Sequence, residues 1–271
     1  MTIKISTGLR DVRLSSASLR DTYNRGCSKI LIYNGAAPAS PDDAVTGTLL
    51  CTITNGSATV KAKQKIRFTP TPGTAVAAEW NITLNGVKFT FVDDGTAAVA
   101  EICTGLYNLI RAAIDTTSIT TPPGKLNIPA VYGKFTLTDN ATSLDIEAAT
   151  AGDSFDYTTT VTGAGAGTGA VATSVVTADA YGLQFETDAD AISGILEKLS
   201  TQTWSGAAVA SGVASYFRHV LDSDSGTLST SEPRIQGSVG TAGADLNFNT
   251  VNFVLGATYS ISTYPVTDPE S

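Results

Sequence analysis

Histidine, cysteine and paired carboxylates carry much of the side-chain chemistry open to a protein, and this chain is poor in the first two. Its 271 residues hold one histidine and three cysteines. His219 lies in Tyr216-Phe-Arg-His-Val-Leu221, an alternating run in which Phe217, His219 and Leu221 share one face. That setting reads as a strand histidine with a packing or hydrogen-bonding role rather than a catalytic base. A histidine-rich metal site is excluded, and a zinc site would need Cys27, Cys51 and Cys103 together. Their number is odd and their spacing irregular, so they form neither a ligand pattern nor a disulfide framework. Cys51 and Cys103 sit among apolar residues and read as small core hydrophobes. Cys27 follows Gly26 in a predicted loop and is a candidate for exposure.

Acidic residues are more plentiful. Asp222-Ser-Asp224-Ser-Gly226 sets carboxylates at alternate positions, as a calcium loop does. Thr227 and Pro233 stand where an EF-hand needs Gly and Glu, so a hairpin turn is the better reading. Glycoside hydrolysis requires two carboxyl groups in one cleft. The neighbouring pairs are Asp93/Asp94 and Asp188/Asp190, and a turn running into a helix already accounts for Asp93-Asp94-Gly95. Residues 163–169 are glycine-rich but lack the Lys-Ser/Thr of a phosphate-binding loop, and they read as a flexible connection. Trp80 and Trp204 lie in alternating runs and are expected in the core. The residues point to a protein without an active site, metal or cofactor.

Charge offers a different kind of chemistry. Only 15% of residues are charged, against about 25% in ordinary soluble domains. Gly, Ala, Ser and Thr are frequent, as suits a surface largely covered by neighbours. The net charge is −8, which argues against a nucleic-acid binder because phosphate neutralisation needs clustered Lys and Arg. Residues 1–30 run the other way, with Lys4, Arg10, Arg13, Arg20, Arg25 and Lys29 against Asp11 and Asp21. These six form a candidate docking set, a basic N-terminal arm able to meet an acidic partner or another copy of the chain. A solvated helix face is the competing reading. No segment approaches the length of a membrane-spanning helix. No apolar leader is visible from Met1 to Thr7, so a reducing cytoplasm is the expected compartment before assembly.

The elements that would hold these groups are mostly short strands. Thr2–Ser6, Lys29–Tyr33 and Gly47–Thr54 read as strands, and Ser16–Asn24 as a short helix with Ser16 as its cap. Trp80–Leu84 and Val87–Val92 flank Asn85-Gly86, the preferred pair for a type I′ hairpin turn. Val99, Ile102, Cys103, Leu106, Leu109, Ile110, Ala113 and Ile114 recur at helical spacing and predict the main helix over about 96–115. Residues 134–138, 143–148 and 155–161 follow as strands, after a break at Pro122-Pro123-Gly124. Gly182–Glu186 reads as a strand and Asp188–Leu199 as a short helix or turn. Trp204–Gly206, Val213–Leu221, Arg234–Val239, Leu246–Phe248 and Tyr259–Val266 complete an antiparallel set. The expected fold is mainly β. An antiparallel β-sandwich host, residues 1–54 and 178–271, carries an inserted α+β domain at 55–177.

Several blocks carry a resemblance. They are Ile32-Tyr33-Asn34-Gly35 with Pro38, Gly47-Thr-Leu-Leu-Cys51, Gly182-Leu-Gln-Phe185, Trp204-Ser-Gly206, Val209-Ala-Ser-Gly212, Tyr216-Phe-Arg218, Arg234-Ile-Gln-Gly-Ser238 and Gly243-Ala-Asp-Leu246. In order and spacing they resemble a group of small virion proteins of tailed bacteriophages, over about half the chain. The middle segment is similar to a module of phage head and tail proteins, through Asn85-Gly86, Gly95-Thr-Ala-Ala98 and Gly152-Asp-Ser-Phe155. The resemblance implies a non-enzymatic particle component, assembled in the bacterial cytoplasm and resident in the virion. Its partners would be further copies and other virion proteins (capsid, portal or connector, tail), with no nucleic acid or membrane. A head decoration or neck/collar protein ranks first, a tail-tube or minor tail protein second. A receptor- or glycan-binding fibre domain is third, and the repeats such fibres show are not seen in this sequence.

Overall fold

The structure, a computed structural model, describes residues 3–15, 18–25, 27–73, 78–95, 98–114, 135–149, 151–152, 155–162, 170–177, 181–186 and 195–267. Contacts divide the chain into two compact units, residues 1–61 with 180–271, and residues 62–179. The sequence reading sets these edges at 54/55 and 177/178. The first segment holds β1 (Lys4–Ile5), α1 (Thr7–Ser15), α2 (Leu19–Arg25), β2 (Ser28–Asn34) and β3 (Leu49–Asn55). The middle segment holds β4 (Lys65–Thr71), β5 (Glu79–Leu84), β6 (Val87–Val92), α3 (Val99–Ile114), β7 (Phe135–Asp139), β8 (Leu144–Ala148), β9 (Tyr157–Thr162) and β10 (Ala170–Thr177). The last segment holds β11 (Ile195–Leu196), β12 (Trp204–Ala207), β13 (Gly212–Leu221), β14 (Arg234–Gly240), β15 (Leu246–Asn247), β16 (Asn252–Phe253), β17 (Thr258–Ile261) and β18 (Val266–Thr267). The fold is mainly β with one main helix, of the β-sandwich type.

In the first unit a nine-stranded sheet runs β1-β14-β13-β2-β3-β12-β17, with β15 added on β14 and β16 on β13. Strands β2 and β3 lie between β13 and β12, so neither terminal segment can close this sheet alone. Alternation along β2 sends Ile30 and Ile32 inward, where they meet Leu50, Ile53, Phe217 and Ile235. Helices α1 and α2 add Leu9, Leu19 and Tyr23 to the same core. The N-terminal residues are therefore not a detachable arm: removing 1–28 would strip β1, both helices and three core side chains. The helix expected at 16–24 is α2, whose cap is Ser18, with its Oγ accepting the Asp21 N–H at 3.0 Å. Ser16 lies outside the described residues.

Helix α1 was not expected. Ser6 caps it by accepting the Leu9 N–H at 3.1 Å, and Asp42 accepts both the Thr7 N–H and its hydroxyl. Gly8 lets the helix touch the chain at Ser231, whose backbone carbonyl would lie 2.4 Å from a Cβ placed there. Gly8→Ala should therefore cost about 1–3 kcal/mol, the usual range for overpacking. A denaturant midpoint equal to that of the parent chain would contradict this contact.

Other expectations shift as well. Gly182–Glu186 is not a ladder strand but meets Lys198 through one bridge at Phe185. Ile195–Leu196 is a strand pairing β18, not helix. β12 pairs β3 and β17, both antiparallel. β15 runs parallel to β14, where an antiparallel set was expected. Residues 163–169, Pro122–Gly124 and the Asp188/Asp190 pair lie outside the described residues.

The second unit contains a four-stranded sheet, β10-β4-β8-β7, and a three-stranded sheet, β6-β5-β9. Asn85 and Gly86 both take positive φ (48° and 83°), as a type I′ turn demands. α3 buries Ile102, Cys103, Leu106 and Ile110 against Ile66, Phe68, Trp80, Ile82 and Leu144, while Leu109 is exposed. β4 and β10 were not read from the sequence. Trp80 is buried, and Asp93 accepts its indole N–H at 2.8 Å as well as the Gly95 N–H at 2.9 Å. One carboxylate thus fixes both the core tryptophan and the turn ahead of α3.

Candidate docking surface

Three of the six basic residues already have partners within the chain. Lys4 Nζ donates to the Ala39 carbonyl at 2.8 Å. Lys29 pairs with Asp222 at 2.8 Å, and Lys61 holds the other oxygen of the same carboxylate. Arg20 lies 3.5 Å from Asp21. Arg13 is half-buried on α1 and Arg10 is exposed. The side chain of Arg25 lies outside the described residues. Arg10 is thus the member of the set that α1 presents openly, beside exposed Leu14.

The acidic run at 222–226 has a structural use that the sequence did not show. It opens the connection from β13 to β14, and Gly226 donates its N–H to Asp224 at 2.7 Å. The Asp224 carboxylate is buried against Arg234, with a two-pronged contact at 2.6 and 2.8 Å. Arg234 also donates to the carbonyls of Thr227, Pro41 and Asp42. Gln236 donates to Pro38, and Tyr216 to Thr46. Side chains of β13 and β14 thereby latch the loop between β2 and β3 from beneath. Arg218 lies in the same layer, and burial together with the Arg234 charge pushes its pKa down.

His219 is fully buried on β13, ringed by Tyr23, Phe185, Trp204 and Tyr264 at 4.2–6.1 Å between ring centres. Neither imidazole nitrogen has a hydrogen-bond partner among the described residues, nor has the Tyr264 hydroxyl. Burial pushes the imidazole pKa down to about 3. It is a packed, neutral side chain with no route to substrate. All three cysteines are buried and outside any disulfide, Cys27 included. Burial pushes the Cys51 thiol up to about 12 and Cys103 to about 11, which leaves both unreactive. Among the described residues no group of three or more His, Cys, Asp or Glu could hold a metal. An open groove of about 390 Å³ in the second unit is lined by Arg111, Ile114, Phe135, Thr136 and Leu137. Those five residues include no His, Cys, Asp or Glu.

What the first unit does present is an apolar rim. Val209, Val213, Val254 and Leu255 are 57%, 58%, 58% and 65% exposed. Hydrogen bonds tie their two segments together: Ala208 N–H to Ala257 O and Gly256 N–H to Ala208 O along the backbone, and Leu255 N–H to the Ser211 hydroxyl. Val213 pairs Asn252 where β16 joins β13. The sequence reading missed this rim, although Val254-Leu255-Gly256 carries the signal of an apolar pair at a turn. Comparison with protein-family models, with curated proteins and with solved structures finds no match to this chain.

Proposed function

We propose that this chain is a non-enzymatic structural component of a tailed-bacteriophage particle, a head decoration or neck/collar protein binding capsid or connector. The observation that carries the reading is the use made of the residue blocks behind the phage resemblance. The blocks from Ile32 to Cys51 and from Gly182 to Leu246 belong to the first unit, where they supply sheet core, turns, the loop latch and the exposed rim. Ile32, Leu50, Cys51, Leu183, Phe185, Trp204 and Phe217 are core. Arg218, Arg234 and Gln236 hold the loop through the carbonyls of Ser40, Pro41 and Pro38. Val209 lies on the rim. The apolar rim and the low charge are what a chain covered by neighbours would carry. Its partners would be further copies and other virion proteins.

The test is quantitative mass spectrometry of purified particles from a lysate that expresses the chain, with gold-labelled antibody in the microscope. The expected result is a fixed stoichiometry in DNA-filled particles and label at the head or neck. A chain abundant in the lysate but absent from purified particles overturns the proposal. Label confined to the tail rejects the decoration role, and specific glycan binding with label at fibre tips replaces it with receptor recognition.

A further inference from the structure

We propose that the β17 end of the nine-stranded sheet, with the rim of Val209, Val213, Val254 and Leu255, is the surface on which a second copy of this chain packs. The two ends of the sheet are built differently. At one end β1 is two residues long and carries Lys4, the usual protection of an exposed edge. At the other, β17 bonds β12 on one side and has no strand on its other side among the described residues. Its sequence, Thr258-Tyr-Ser-Ile261, has no charge, proline or glycine to deter pairing. The Ala208–Ala257 bond fixes the phase of the antiparallel ladder, so Gly206–Tyr259 is a bonded pair and Ser205–Ser260 is not. The backbone groups of Thr258 and Ser260 therefore point away from β12, and both residues are exposed.

Charge selects the occupant. The chain is −8 overall, so two copies repel each other across most orientations. Residues 199–217 and 246–267, which contain the edge and the rim, hold no Asp, Glu, Lys, Arg or His. Around a two-fold axis each patch meets itself, and a self-facing patch avoids like-charge contact only if it is neutral. A basic partner would gain nothing here and would favour the acidic remainder. Antiparallel pairing of two β17 strands continues the sheet across the axis and covers the free edge. The inference names a contact within the particle role proposed above, but it concerns the isolated chain and can be judged without particles.

The experiment is sedimentation velocity with light scattering on the purified full chain over a concentration series. The parent chain is expected to double in mass as concentration rises. Ser260→Pro removes an outward N–H without breaking a bond to β12. Val254→Lys with Leu255→Lys puts repelling charge on the rim. Each should restore the monomer mass at the same concentration, with an unchanged circular dichroism spectrum. A parent chain that stays monomeric throughout overturns the proposal, and so does an oligomer that both folded variants retain. A monomer still found in purified particles sinks this contact alone. A β17-dependent dimer absent from particles leaves the contact standing and sinks the particle role.

Discussion

Asp224→Ala should lower the stability of the first unit by about 3–5 kcal/mol, the cost of removing one member of a buried ion pair. Both side chains are sealed, at 0% exposure for Arg234 and 1% for Asp224. Without the carboxylate, the Arg234 guanidinium keeps its charge in a layer that already holds Arg218. A loss of that size is a large share of the roughly 5–15 kcal/mol that folds an ordinary domain. The informative comparison is Asp224→Ala with Arg234→Met. That pair should recover part of the single-variant loss, because the unpaired charge is gone. Recovery would stay incomplete, since Pro41, Asp42 and Thr227 lose their donor. Urea unfolding of the parent and both variants tests this. A double variant no more stable than Asp224→Ala would show that the charge is not what makes the single change costly.

His219 gives the second large effect, this time through acid. Its folded pKa of about 3 lies below the ordinary value of 6.5. Between those values the unfolded chain binds a proton that the folded chain refuses, so stability rises with pH in that window. The contribution is complete above about pH 6.5 and is lost as pH falls towards 3, by roughly 3–5 kcal/mol in total. His219→Leu, close in volume, should remove this slope. At pH 7.5 it should be at least as stable as the parent, because two unpartnered ring nitrogens leave the core. Denaturation midpoints of both chains from pH 7.5 to 3.5 decide the matter. Parallel curves would mean that other groups, such as Asp145 with its lowered pKa beside Arg67, govern acid sensitivity.

What could be read from the sequence follows from how local each signal is. The Asn85-Gly86 turn was legible because only such residues accept two successive positive φ angles. α3 was legible because Ile102, Leu106 and Ile110 repeat at one period against polar neighbours. The first helix was not. Thr7–Ser15 has few apolar residues, and one of its capping groups, Asp42, comes from a loop 35 residues away. β4 hid behind Pro70, which discourages a strand reading. The structure tolerates it because the β4–β8 ladder ends at Phe68–Leu144 and β10 alone accompanies Pro70. The partners of the basic residues were not legible because a run of basic residues fixes net charge but not which carboxylates stand opposite. Lys29 found Asp222, nearly two hundred positions along the chain. The buried Arg234 was invisible for the same reason: its partner and the carbonyls that it serves meet only once β13, β14 and the 35–48 loop are stacked.

That loop has a practical side. Connections between strands are the usual places to splice in a tag or epitope, because their backbone groups face water. Here Pro38, Ala39, Ser40, Pro41 and Asp42 each lend a carbonyl to a side chain beneath or beside them. An insertion between 38 and 42 would pull those oxygens off their donors and bare two buried guanidinium groups. The β7–β8 turn at Asn140-Ala141-Thr142, exposed and bound mainly to its own residues, is the better address for a fluorophore or affinity handle.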